Sequence, residues 1–164
     1  MLRALPEETA TPPVDRTGWW SPISCDALGK RAALGKALGH PDLQTEAGNG
    51  GMVAAGQGLA LSRTIAVNCI LQAGSDSDPL GGEIHAFGGA AAFVEQQFDG
   101  LDVRRLADVS GAKVYLVTDR SAGASALWVL DHGNALELSA AIDRAETMRP
   151  AVAPILSVLD RRVR

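Results

Sequence analysis

Cys25 and Cys69 are the chain's only cysteines; with His40, His85, His132 and the run Asp76-Ser77-Asp78 they are the residues best suited to chemistry. A thiol nucleophile needs a base held against it. Cys25 opens a helix-like run, a position that favours a thiolate, but none of the three histidines has neighbours that mark it as the base. Zinc would draw on the same side chains, yet such sites are nucleated by ligand pairs about two to four residues apart, and no such pair is present. Asp76 and Asp78 are suited to Ca²⁺ or to the metal of a sugar nucleotide, but no Glu stands at the closing position of a calcium loop. Asp and Ser before Pro79 serve a turn equally well through their own hydrogen bonds, and a turn is the expectation. Ser75, Ser121 and Ser125 lack a Gly-x-Ser-x-Gly setting, and no paired carboxylates stand out. The residues therefore predict no enzyme, no cofactor and no metal.

What remains for the cysteines is structural. Ser24-Cys25-Asp26 begins an apolar-periodic run ending at Leu38-Gly39, and Cys69 lies in the strand-like run Thr64–Leu71. A lone pair tying a helix start to a core strand reads as a disulfide, and hence as an exported domain. Buried free thiols and an unrelated pair are the competing readings. A bridge here would close a loop worth roughly 4 kcal/mol of chain entropy, a large share of a typical stability of about 5–15 kcal/mol.

The rest of the composition narrows the class. The 164 residues carry 46% hydrophobic and 21% charged side chains, enough to bury a core as a single domain. A net charge of −4 with scattered Lys and Arg gives nucleic-acid binding no electrostatic footing. No apolar run reaches the roughly 18 residues that span a bilayer. Residues 1–18 hold Pro6, Pro12 and Pro13 and read as a flexible tether, with residues 19–164 as one domain. An export signal or membrane anchor is expected upstream of this chain.

Periodicity supplies the elements. Ser24 can cap a helix running to Leu38, with Leu28, Ala32, Gly35 and Leu38 on one face and Gly39 and Pro41 as its stop. Within Thr64–Leu71, the period-two rule puts Ile65, Val67, Cys69 and Leu71 on one face. Gly74–Pro79 reads as a turn, Glu83–Phe87 as a strand, and Gly89–Phe98 as a helix presenting Ala90, Phe93, Val94 and Phe98. Val103–Ala107, Lys113–Thr118, Ala126–Leu130 and Ala135–Ala141 are extended, with Asp131-His132-Gly133-Asn134 as a hairpin turn. A last helix starts at Met148 or Pro150 and runs to Val163, late enough for Pro154 to sit in its first turn. The Gly-rich Gly48–Gly58 stretch is a loop or a weak edge hairpin, since its Gly-x-Gly has neither the strand nor the helix of a nucleotide site. Together these predict an α+β domain: a mostly antiparallel sheet packed against N-terminal, middle and C-terminal helices.

In layout the chain resembles a group of actinobacterial envelope proteins, which includes small exported lipoproteins of unknown function and the extracellular sensor domains of mycobacterial Ser/Thr kinases. The likeness rests on "ISCDALGKRAALGKALG", "TIAVNCIL", "GGAAAFVEQQFDG", "VSGAKVYLVTD", "ALWVLDHGNALELSAA" and "PAVAPILSVLDRRV", spanning roughly Ser24 to Arg164. Members often carry an aromatic after the second cysteine, where this chain has Ile70. The resemblance implies a Cys25–Cys69 bridge, an extracytoplasmic place (secreted or envelope-anchored), and a sheet-and-helix binding fold with no known enzymatic activity.

Large rings are scarce, so the candidates for a binding surface are few: Trp19, Trp20, Tyr115 and Trp128. The alternative for Trp128 is core packing against the final helix, and for the Trp19-Trp20 pair a cap on the core edge. The expected function is a non-enzymatic exported domain binding a small apolar ligand, a cell-wall component or a protein partner. The alternative is an accessory subunit of an envelope complex without a ligand pocket. Any membrane association is expected only through the upstream anchor.

Overall fold

The computed structural model describes residues 14–48, 64–75 and 78–160. Within them the expected α+β domain is found. Seven strands, β1 (Gln44–Ala47), β2 (Ile65–Ser75), β3 (Asp78–Phe87), β4 (Asp102–Val109), β5 (Ala112–Asp119), β6 (Ala124–Asp131) and β7 (Asn134–Ala141), form one sheet in the order β1-β2-β3-β7-β6-β5-β4. Every pairing is antiparallel. Helices α1 (Cys25–Arg31), α2 (Leu34–Leu38), α3 (Ala91–Gln96) and α4 (Val152–Leu159) accompany it, α4 continuing directly from a 3₁₀ helix over Ala145–Ala151.

Alternation along the strands divides the sheet into two unlike faces. One carries Cys69, Leu71, Ile84, Val114, Leu127, Val129, Leu136 and Leu138, all buried. These pack in one core with Leu28 of α1, Leu34 of α2, Met148 of the 3₁₀ helix and the α4 stripe Val152, Ile155, Leu156 and Leu159. The opposite face holds a smaller cluster: Phe87, Leu130 and Ala135 under Ala90 and Val94, with Phe93, Phe98, Tyr115 and Trp128 around it. Topology explains α3's place there. The chain leaves β3 in mid-sheet and must reach β4 at the far edge, and it crosses this second face on the way.

Several expectations are met for the reasons given. Ser24 Oγ accepts from Ala27 N at 3.2 Å and caps α1. Pro154 is the third residue of α4, where no intrahelical N–H is required of it. The turn between β6 and β7 has positive φ at its two central residues, His132 (46°) and Gly133 (87°), the mirror-image turn that matches strand twist.

Other expectations are corrected. The helix expected from Ser24 to Leu38 is two helices, broken where Ala33 takes a left-handed backbone (φ 46°, ψ 50°). An unbroken helix turns Leu34 well away from Leu28, and the break lets both reach the core. Ile65 does not share a face with Val67, Cys69 and Leu71. A bulge at Ala66 pairs Ile65 with Phe87 but Val67 with Ala86, which sends Ile65 to the α3 side. The Gly74–Pro79 turn is narrower than expected, because β2 and β3 stay paired out to Ser75 and Asp78. Short, polar β1 was not anticipated; it pairs Ala47 with Cys69 at the sheet edge. Most of the Gly48–Gly58 stretch, Asp76 and Val163 lie outside the described residues.

Two ties hold the N-terminal part to the sheet. Cys25 and Cys69 form a disulfide with Cα atoms 5.5 Å apart across 44 positions, so α1 is fastened to β2. Fully buried Asn134 supplies the other. Its Oδ1 accepts from Trp20 N at 3.4 Å and Gly89 N at 3.1 Å, and its Nδ2 donates to Gly18 O at 3.0 Å. Gly89 has a positive φ of 67° and lies so close to Trp19 that a Cβ there would be 2.3 Å from the indole, so only glycine fits.

Reducing the disulfide in folded protein is expected to lower unfolding free energy by about 2–4 kcal/mol, measured by urea denaturation with and without reductant. Asn134→Ala leaves two interior N–H groups without their acceptor and is expected to cost about 2–4 kcal/mol in the same assay.

Candidate functional site

Among the described residues, α3 is the helix that crosses the second sheet face, and it covers one end of it. α3 covers the register Ile65–Phe87–Ala135–Leu130, read across β2, β3, β7 and β6. The next register in the open direction is Asn68–His85–Glu137–Trp128–Tyr115–Arg105, directly opposed neighbours across six strands. Beyond it lie Ile70, Glu83, Ser139, Ala126, Val117 and Val103. Facing pairs in such a ladder stand about 4.5–5.5 Å apart at Cβ, so each row is a continuous strip of side chains.

At the centre of the strip, His85 is 3% exposed and lies between two carboxylates. Its Nδ1 is 3.2 Å from Glu137 Oε2 and its Nε2 is 3.4 Å from Glu83 Oε2. The contact with Glu137 is a hydrogen bond, and that with Glu83 is an ion-pair approach. His85 also heads a file of rings: its centroid is 6.1 Å from that of Phe87, and Phe87 is 6.2 Å from Trp128, with interplanar angles of 26° and 24°.

Farther along the strip, Tyr115 packs its ring 5.1 Å from Phe98 and donates its hydroxyl to Glu95 Oε1 at 3.4 Å. The Arg105 guanidinium lies over the Tyr115 ring, 4.9 Å from its centroid, and bonds Asp108 and Val114 O. β5 and β6 are joined at the open end by a turn organised around Asp119, whose Oδ1 accepts from Ser121 Oγ (2.5 Å), Ser121 N (2.9 Å) and Ala122 N (3.1 Å). These donors, the Ser121 hydroxyl foremost, hold the Asp119 carboxyl below its ordinary value of 3.8.

Of the four rings singled out in the sequence, the structure brings two together. Tyr115 and Trp128 are cross-strand partners, both half-buried. Trp128 packs on the α3 side, not against the final helix as its core reading supposed. Trp19 lies apart over Gly88 and Gly89 with the Arg16 guanidinium 5.7 Å from its ring. Trp20 is buried in the main core, its indole N–H without a hydrogen-bond partner, and so presents no surface. Cys25 and Cys69 are consumed in the disulfide.

Of the three histidines, none of which the sequence marked as a base, His85 sits buried in the interior of the sheet on β3. The only signal for it was alternation: Ile84 and Ala86 face the core, so Glu83, His85 and Phe87 must face away. Glu137, placed between Leu136 and Leu138, follows the same logic, but its meeting with His85 depends on a pairing 52 residues apart. Asn68 and Arg105 carried no such mark.

The chain matches no protein-family model, no curated protein and no solved structure. Among the described residues no helix is long and apolar enough to cross a membrane. A disulfide fits an oxidising, extracytoplasmic compartment.

Because Asp119's carboxyl is lowered on folding, it stabilises the native state above pH 3.8 and that contribution fades as pH falls through the lower folded value. Ser121→Ala is expected to move the Asp119 titration up toward 3.8 and to shift the onset of acid unfolding to higher pH, read by side-chain carboxyl NMR and circular dichroism.

Proposed function

We propose that this chain is a non-enzymatic, extracytoplasmic binding domain, secreted or held at the cell envelope, which engages a small ligand, a cell-wall component or a protein partner. Contact is made on the half of the second sheet face that α3 leaves open. The observation that carries this reading is the strip itself: Trp128 and Tyr115 stand side by side, half-buried, next to Glu137 on a rigid sheet. Aromatic rings with a few convergent polar groups are the usual composition of ligand sites. The non-enzymatic reading is supported by the occupation of the reactive groups: both thiols are bonded to each other, and both ring nitrogens of His85 face carboxylates. The disulfide and the layout shared with actinobacterial envelope proteins support the location.

One observation favours the accessory-subunit alternative. β4 ends the sheet, so its outward backbone groups over Asp102–Arg105, ahead of the Leu106 and Ala107 carbonyls that Arg105 and Arg149 occupy, can accept a strand from another chain.

Native mass spectrometry of protein purified from its own source is expected to show a bound small molecule or a stoichiometric partner. Trp128→Leu, with unchanged circular dichroism, is expected to lower its occupancy by at least about tenfold. Undiminished occupancy in that variant moves the site off this face.

A further inference from the structure

We infer that the open strip binds a small organic cation, an alkylammonium or guanidinium group seated on Trp128 and balanced by Glu137 and Glu83. The inference rests on the reading of this sheet face as the binding site and names what it takes.

Charge is the first argument. Two carboxylates share a single imidazole, so the set of Glu83, His85 and Glu137 keeps a net negative charge even with the ring fully protonated. His85 is 3% exposed, and the Glu137 and Glu83 side chains are 20% and 29% exposed. Charge removed this far from water is poorly screened. Among the described residues, neither carboxylate has a second ionic partner. The nearest cation along the strip, Arg105, is committed to Asp108 and Tyr115.

Ring geometry is the second. Trp128 is the in-register neighbour of Glu137, with its ring stacked on Phe87. An indole face attracts a cation within about 6 Å of its centroid, more strongly when the pair is partly dry. One step along the same strip, the protein already uses this arrangement: a guanidinium lies over Tyr115 and bonds a carboxylate. Trp128 beside Glu137 repeats the ring and the carboxylate, and among the described residues no cation lies over it.

Other ligand classes fit less well. An anion meets two carboxylates. A purely apolar ligand buries those carboxylates without a partner, which is costly. A divalent metal needs its oxygens to converge, yet Glu83 and Glu137 are directed at opposite nitrogens of one ring. Size points to a headgroup: successive rows on one face of a strand are about 7 Å apart, and α3 closes the next row.

The test is an NMR titration of the full ¹⁵N-labelled chain with n-butylammonium and n-butylguanidinium chlorides, alongside neutral n-butanol and calcium chloride. Both organic cations are expected to shift the Trp128 Nε1–H and the amides of Glu83, His85 and Glu137 saturably, and n-butanol to leave them in place. Glu137→Gln and Trp128→Leu are each expected to weaken the cations by at least about fivefold. The comparison of cation with alcohol on the unaltered protein stands even where a variant fails to fold. Equal shifts of the same resonances by n-butanol overturn the cation assignment while the face remains a site. Calcium binding at these residues with no dependence on Trp128 overturns it in favour of a metal. Cation shifts confined to other residues, or none that saturate, overturn it as well.

Discussion

The pairing of β3 with β7 is the constraint on which the rest of the structure depends. Among the described residues it is the only strand pairing that is not between sequence neighbours, and it welds the disulfide-bearing β1-β2-β3 half to the β4-β5-β6-β7 meander. Its register sets Ile84 opposite Leu138 on the core face and His85 opposite Glu137 on the other. A slip of one residue would exchange the faces, placing His85 and Glu83 among the leucines and Ile84 in the open strip. Core and candidate site are therefore fixed by the same ladder of hydrogen bonds. The buried cost of error on the apolar face is what keeps the polar face in register.

The two helix layers differ in kind for the same reason. On the core face, α1, α2, the 3₁₀ helix and α4 together bury a wide apolar surface, and the disulfide fastens α1 to β2. α1 and α2 are short and separated by the strained Ala33, so neither is a stable helix by itself. Among the described residues the other face receives one helix, α3, six residues long, as part of the crossover to β4. A crossover that short cannot roof a seven-stranded sheet. That α3 covers only one end of this face thus follows from topology, before any question of function arises. Asn134 reinforces the plan by drawing residues 18–20 and Gly89 against the β6–β7 turn, at the roofed end of the face.

What could be read from the sequence was set by local physics. Alternating strands, the caps of α1 and the α4 stripe depend on neighbours a few residues away, and they were legible. So was the link between Cys25 and Cys69, because a lone pair admits a single bridge within the chain. The break at Ala33 and the bulge at Ala66 were not, since both arise where local periodicity yields to the demand that Leu34 and Val67 meet the core. Asn134 was read only as part of the hairpin turn; His132 and Gly133 take its positive φ angles, and the Asn134 amide acts as a hub. The candidate site was the least legible part. Tyr115 and Trp128 were found by residue type, while Glu83, His85 and Glu137 become one group only through the β3–β7 pairing.

The disulfide and the strip bear on each other through that pleat. On β2, Cys69 and Asn68 are adjacent, so they point to opposite faces; on β3 their partners are Ile84 and His85. The covalent tie is thus one residue from the polar row, on the far side of the sheet. It can add stability without occupying any of the open surface. A carboxylate–imidazole–carboxylate set with excess negative charge is a poor contributor to stability on its own, since desolvation opposes it. A domain that keeps such a group half-buried on an open face needs stability from elsewhere. Here that comes from a core and a disulfide placed where they leave the strip free. One side of the sheet thus holds the fold together, and the other carries the polar row that its pairing keeps in register.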